Sequence, residues 1–93
     1  MALTVELPGQ LRELNEGRAT VELAETPATV GDALAALRDA APAVYDRIAT
    51  ERGQVRRHVN LFVGTEEIRR TGGLETPLSD GDRITVLPAV SGG

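Results

Sequence analysis

The sequence closes on Gly92 and Gly93, preceded by the slender run Ala89, Val90 and Ser91 and by Pro88. A carboxylate on such an end is a poor electrophile at neutral pH. To react it must be activated, and an activated acyl group survives only where a surrounding site excludes water. Two glycines suit that site, because a chain without Cβ atoms threads a narrow channel and takes backbone angles barred to other residues. Ala89, Val90 and Ser91 are small enough to follow, so they and Gly92 are candidates for tail recognition, with Gly93 as the reacting residue. The bland alternative is a frayed terminus. Glycine makes up about 7% of average composition, so two glycines end a chain by chance in about one case in two hundred. Chance is therefore a weak account of the pair.

The remaining side chains offer little competing chemistry. The absence of cysteine removes disulfides, iron–sulfur clusters, thiol catalysis and cysteine-ligated zinc, so any sulfur handled here is supplied by a partner. All ten basic residues are arginine, which leaves no side-chain amine for isopeptide or Schiff-base chemistry. His58 is the only histidine; it stands at a strand start without a catalytic companion and reads as a surface or edge residue. Asp80 and Asp82 flank a turn glycine and are too few for a metal site. Gly72 and Gly73 precede neither a lysine nor a helix signal, so they read as a backbone break rather than a phosphate cradle. No bound cofactor or metal is expected.

A formal net charge of −4 opposes nucleic-acid binding, which depends on neutralising phosphates. Arg52, Arg56 and Arg57 form a local basic exception that reads as a solvated loop. The opening MALTVELPG lacks a basic segment and a signal-length apolar run, and no stretch is long enough to span a membrane, which makes the cytoplasm the default location.

The elements that must carry the tail follow from periodicity. Leu3, Val5 and Leu7 alternate with Thr4 and Glu6, as in a half-buried strand, and Ala19, Val21 and Leu23 repeat the pattern after a polar loop around Asn15 to Gly17. Thr29 and Asp32 have capping-box-like spacing at the start of a helix whose apolar stripe is Val30, Leu34 and Leu37. Pro42 ends that helix and suits the first turn of a second, short one containing Val44 and Ile48, with Tyr45 packed against it. A third strand places Val59, Leu61 and Val63 on one face and His58, Asn60 and Phe62 on the other. GTEEIRR reads as a turn and short strand, SDG as a tight turn, and the last strand puts Ile84 and Val86 opposite Arg83, Thr85 and Leu87. Phe62 and Leu87 thus fall on the face the core does not need, and are candidates for partner docking.

The order and residues together resemble the β-grasp sulfur carriers of the ubiquitin-like ThiS/MoaD family. The stretch that carries the resemblance is VNLFVGTEEIRRTGGLETPLSDGDRITVLPAVSGG, with its Gly-Gly-Leu break, Asp-Gly-Asp turn, closing strand and terminal Gly-Gly. The length, the helical segment at Pro42 to Thr50 and the ending LPAVSGG are most similar to the branch that serves cysteine biosynthesis, from which the chain departs at Ser91, where alanine is expected. The resemblance implies an α+β fold: a mixed sheet of four to five strands with one main helix and a short second helix packed on one face. It implies a domain over 1–88 and a flexible tail over 89–93. It also implies a carrier rather than an enzyme. An adenylating enzyme of the ubiquitin-activating type, with a sulfur donor, would consume ATP and convert the Gly93 carboxylate to a thiocarboxylate. A sulfur-accepting enzyme, such as a pyridoxal-phosphate cysteine synthase, would then draw on it. The alternatives are the small subunit of molybdopterin synthase, a ubiquitin-like modifier conjugated through Gly93, and a binding domain with an inert tail.

Overall fold

The computed structural model describes residues 3–88. Five strands form one mixed sheet in the order β2-β1-β5-β3-β4, comprising β1 (Leu3–Glu6), β2 (Thr20–Leu23), β3 (Val59–Val63), β4 (Glu66–Glu67) and β5 (Arg83–Pro88). β1 pairs antiparallel with β2 and parallel with β5, while β3 pairs antiparallel with β5 and β4. The parallel pair requires a crossover, and the connection carries helices α2 (Val30–Ala40) and α3 (Pro42–Ile48) over one face of the sheet. This is the architecture the resemblance implies.

The alternation read from the sequence is the alternation of burial. Leu3 and Val5 in β1, Val21 and Leu23 in β2, Val59 and Leu61 in β3, and Ile84 and Val86 in β5 are all buried, against Val30, Ala33, Leu34 and Leu37 of α2 and Val44, Tyr45 and Ile48 of α3. With one Phe and no Trp, this core is aliphatic. Each such side chain contributes roughly 1.5–3 kcal/mol when withdrawn from water. The start of α2 is fixed as its sequence suggests: the Thr29 hydroxyl oxygen accepts from the Asp32 backbone N–H at 3.2 Å. Pro42 occupies the first turn of α3. Tyr45 lies within α3, buried, with the Arg38 guanidinium 5.9 Å from its ring centroid.

Three local features depart from the simplest reading. The β1–β2 connection is not only polar loop: Gly9–Arg12 forms a helical turn, α1, that buries Leu11, followed by a 3-10 turn over Glu13–Asn15. The loop from Asn15 to Gly17 does turn the chain, with Glu16 and Gly17 at positive φ. GTEEIRR contains only the two-residue β4, after which a 3-10 turn, Ile68–Arg70, buries Ile68 beneath the sheet edge. Ala19 and Val63 are half-buried rather than core residues. Gly31 has a packing reason of its own, since a Cβ there would stand 3.2 Å from the Leu74 carbonyl oxygen.

Candidate functional site: the open sheet face and the end of the closing strand

β5 is the strand that leads to the tail, and it is held on both sides. Val5 lies opposite Ile84 on the β1 side, while Leu61 lies opposite Val86, and Asn60 opposite Leu87, on the β3 side. The same register that buries Ile84 and Val86 sends Arg83, Thr85 and Leu87 to the uncovered face. There they join Thr4 and Glu6 of β1, Thr20 and Glu22 of β2, and Asn60 and Phe62 of β3.

Most of that face is polar and internally paired. Thr4 donates its hydroxyl to the Glu22 carboxylate at 3.0 Å, and Arg83 reaches Glu6 at 3.2 Å. The apolar members are Phe62, which is half-buried, and Leu87, which is 42% exposed. Phe62 lies opposite Thr85 and Leu87 opposite Asn60, so the two are diagonal neighbours at about 7–8 Å. The register therefore places the two residues singled out for docking on one face of adjacent strands, Leu87 next to the last described residue and Phe62 further back along the sheet.

Arg69, which the sequence alone did not mark, organises the β3 margin. Its guanidinium donates to Asn60 Oδ1 at 2.6 Å, to Glu67 Oε2 at 3.0 Å and to the Val59 carbonyl at 3.0 Å. β4 covers β3 only at Phe62 and Val63, so the carbonyl of Val59 lacks a strand partner on that side, and the arginine supplies one. It also fixes the side chain of Asn60, directly opposite Leu87.

Around the same end of β5, an open groove of about 190 Å³ is lined by Pro8, Leu11, Val86, Leu87 and Pro88, with Gln10, Arg47 and His58 as its polar members. His58 is exposed, as expected of an edge residue.

The other singled-out residues have structural employment. Asp82 Oδ2 accepts from the Ser79 N–H at 2.8 Å, and Asp80 Oδ1 accepts from the Thr26 hydroxyl at 2.6 Å. Gly81 between them takes φ 86, as the tight turn requires. Gly72 and Gly73, at φ 123 and 63, break the chain into a 3-10 turn in which their carbonyls accept from Glu75 and Thr76. Arg52 and Arg57 are exposed, while Arg56 donates Nε to the Asp46 carbonyl at 2.8 Å. Among the described residues no cluster of His, Cys, Asp or Glu could hold a metal ion, and no helix is long and apolar enough to cross a membrane. Ala89, Val90, Ser91, Gly92 and Gly93 lie outside the described residues.

A mixed sheet with helices on one face, whose central strand leads towards Gly-Gly, defines a small ubiquitin-like β-grasp domain. The chain belongs to the ThiS family, whose model matches residues 5–93. It is 36% identical to the sulfur carrier protein CysO of Mycobacterium tuberculosis, with the whole of both chains covered. The crystal structure of that protein superposes with a TM-score of 0.82 at 33% identity, covering 95% of this chain and 99% of the other. A chain in the crystal structure of the Amycolatopsis orientalis BexX/CysO complex matches with a TM-score of 0.83 and 35% identity, covering 99% and 100% of the two chains. Small archaeal modifier protein 3 of Haloferax volcanii is 34% identical, again over the whole of both chains. The family thus contains sulfur carriers and ubiquitin-like modifiers.

Proposed function

We propose that this protein carries sulfur as a thiocarboxylate on Gly93, and that its sulfur serves cysteine biosynthesis. The observation supporting the chemistry is that the family match runs through the terminal Gly-Gly, immediately after a closing strand anchored on both sides. The full-length likeness to CysO supports the pathway.

In this reading a carboxylate oxygen of Gly93 attacks the α-phosphorus of ATP held by an adenylating partner, and pyrophosphate leaves. Sulfide equivalents from a donor then add at the acyl carbon. The C–S bond forms, the C–O bond to AMP breaks, and the product is ionised at neutral pH. A sulfur-accepting enzyme, of which a pyridoxal-phosphate cysteine synthase is the leading example, later receives the sulfur. The protein itself binds no cofactor; it presents the reacting carbon. Its residues act by position: β5 aims the tail, Phe62 and Leu87 give the adenylating enzyme an apolar foothold, and Ala89 to Gly92 thread its channel. A second reading, conjugation to target amines through Gly93, is supported by the full-length likeness to an archaeal modifier; there the activated carbonyl is attacked by an amine instead of sulfide.

The test is extension of the chain by one residue after Gly93. The new carboxylate would stand about 3.5 Å too far along, and ATP-dependent AMP release with the cognate adenylating enzyme should cease while the melting temperature is unchanged. Intact mass after sulfide addition distinguishes the two readings: oxygen-to-sulfur exchange on the unextended chain marks a carrier, and amine adducts mark a modifier. An extended chain that still acquires sulfur at the normal rate would remove Gly93 from the chemistry.

A further inference from the structure

Beside the point where β5 ends, the groove described above combines an apolar floor with a basic wall. Leu11, Val59 and Val86 are core residues whose outer edges form the floor. Arg47, from the last turn of α3, and His58, from the approach to β3, line this groove and also an adjoining depression that contains Asp46 and Arg56. Among the described residues the ion pairs are Arg18–Glu16, Arg69–Glu67 and Arg83–Glu6, so neither Arg47 nor Arg56 is paired with a carboxylate. Arg47 thus sets a positive charge directly beside the apolar floor, while Arg56 lies in the adjoining depression with Asp46, to whose carbonyl its Nε donates at 2.8 Å.

We propose that this groove docks an acidic, apolar segment of the partner that takes the tail, an apolar side chain entering between Pro8 and Leu87 while adjacent carboxylates face Arg47 and Arg56. The inference rests on the tail being taken by a partner, and identifies a second surface by which that partner holds the domain. Three considerations select this occupant. Charge complementarity requires acidic groups against the wall. Leu87 lines the groove and also belongs to the open-face apolar patch, so a single partner can cover both. A second copy of the chain would set net −4 against net −4.

The probe is the capped peptide acetyl-Glu-Asp-Leu-Phe-Asp-Glu-amide, titrated into the full-length ¹⁵N-labelled protein. Saturable shifts should centre on the amides of Arg47, His58 and Leu87. Arg47→Glu should weaken binding about ten-fold or more without lowering the melting temperature, and should favour a peptide with lysine in place of each acidic residue. Absence of saturable shifts there, or affinity indifferent to Arg47→Glu, overturns the proposal. So do nuclear Overhauser contacts between Val90 and Leu11 in the free protein, which would give the groove to the tail. Peptide binding involves no adenylation, so a chain that binds the peptide but is never activated contradicts the carrier reading alone. Normal activation with no peptide binding removes the groove alone.

Discussion

On the helix-covered face of the sheet, Leu61, Ile84 and Val86 are almost wholly withdrawn from water; one residue along the same strands, Asn60, Thr85 and Leu87 face outward. The two faces share a backbone and a register, yet their side chains have separate physical duties. Covered-face residues hold the domain together by excluding water from an aliphatic layer. The open face is largely occupied by Thr4–Glu22 and Glu6–Arg83 contacts, which are exposed and individually weak, leaving the half-buried Phe62 and the exposed Leu87 as its apolar members. The core thus lies on one face, and the docking role proposed for Phe62 and Leu87 falls on the other, one position along the same strands.

The largest expected effect tests the covered face. Leu61→Ala should destabilise the domain by about 2–5 kcal/mol through lost burial and a residual cavity, measured by urea denaturation. A loss under about 1 kcal/mol would mean the site collapses without penalty and would blur the contrast between faces. Next, Phe62→Ala and Leu87→Ala should each weaken binding to the adenylating enzyme by around 1–3 kcal/mol in calorimetry, with a much smaller change in unfolding free energy. Equal losses of stability and affinity would assign these residues to packing instead. The smallest effect belongs to the polar part of the open face. A double-mutant cycle on Glu6 and Arg83, whose side chains are 39% and 53% exposed, should return a coupling of about 0.2–1 kcal/mol that fades with added salt. A larger, salt-insensitive coupling would make the open face a contributor to stability.

Both faces were legible in the sequence because the strand period is two and the apolar positions keep it through Leu3–Val5–Leu7, Val59–Leu61 and Ile84–Val86. Thr29 announced the helix start because capping acts over three residues, and Pro42 announced the next helix because its fixed φ suits a first turn. The turn that buries Leu11 was not legible: four residues show too little periodicity to separate a helix from a loop. Ile68 was hidden by a similar brevity, since a two-residue strand passes directly into a 3-10 turn. Arg69 and Arg47 gave no local signal at all. One completes hydrogen bonds on a strand nine and ten residues away, and the other meets β5 only through the fold. The tail stands apart from these cases: its need for activation was read from residue type and its sulfur chemistry from the family resemblance, and Ala89 to Gly93 lie beyond the described residues.

The position of β5 has a consequence for the order in which the molecule is made. It is the middle strand of five, and the last to be synthesised. A nascent chain on the ribosome that has not yet released Arg83–Pro88 can pair β1 with β2 and β3 with β4, but these are two separate ribbons whose apolar faces have no common sheet. Joining them requires long loop closures that are compensated only when β5 enters between them. The segment that completes the core is therefore the one that leads to Gly-Gly, and a translation product cut short before it lacks both the closed sheet and that pair of glycines.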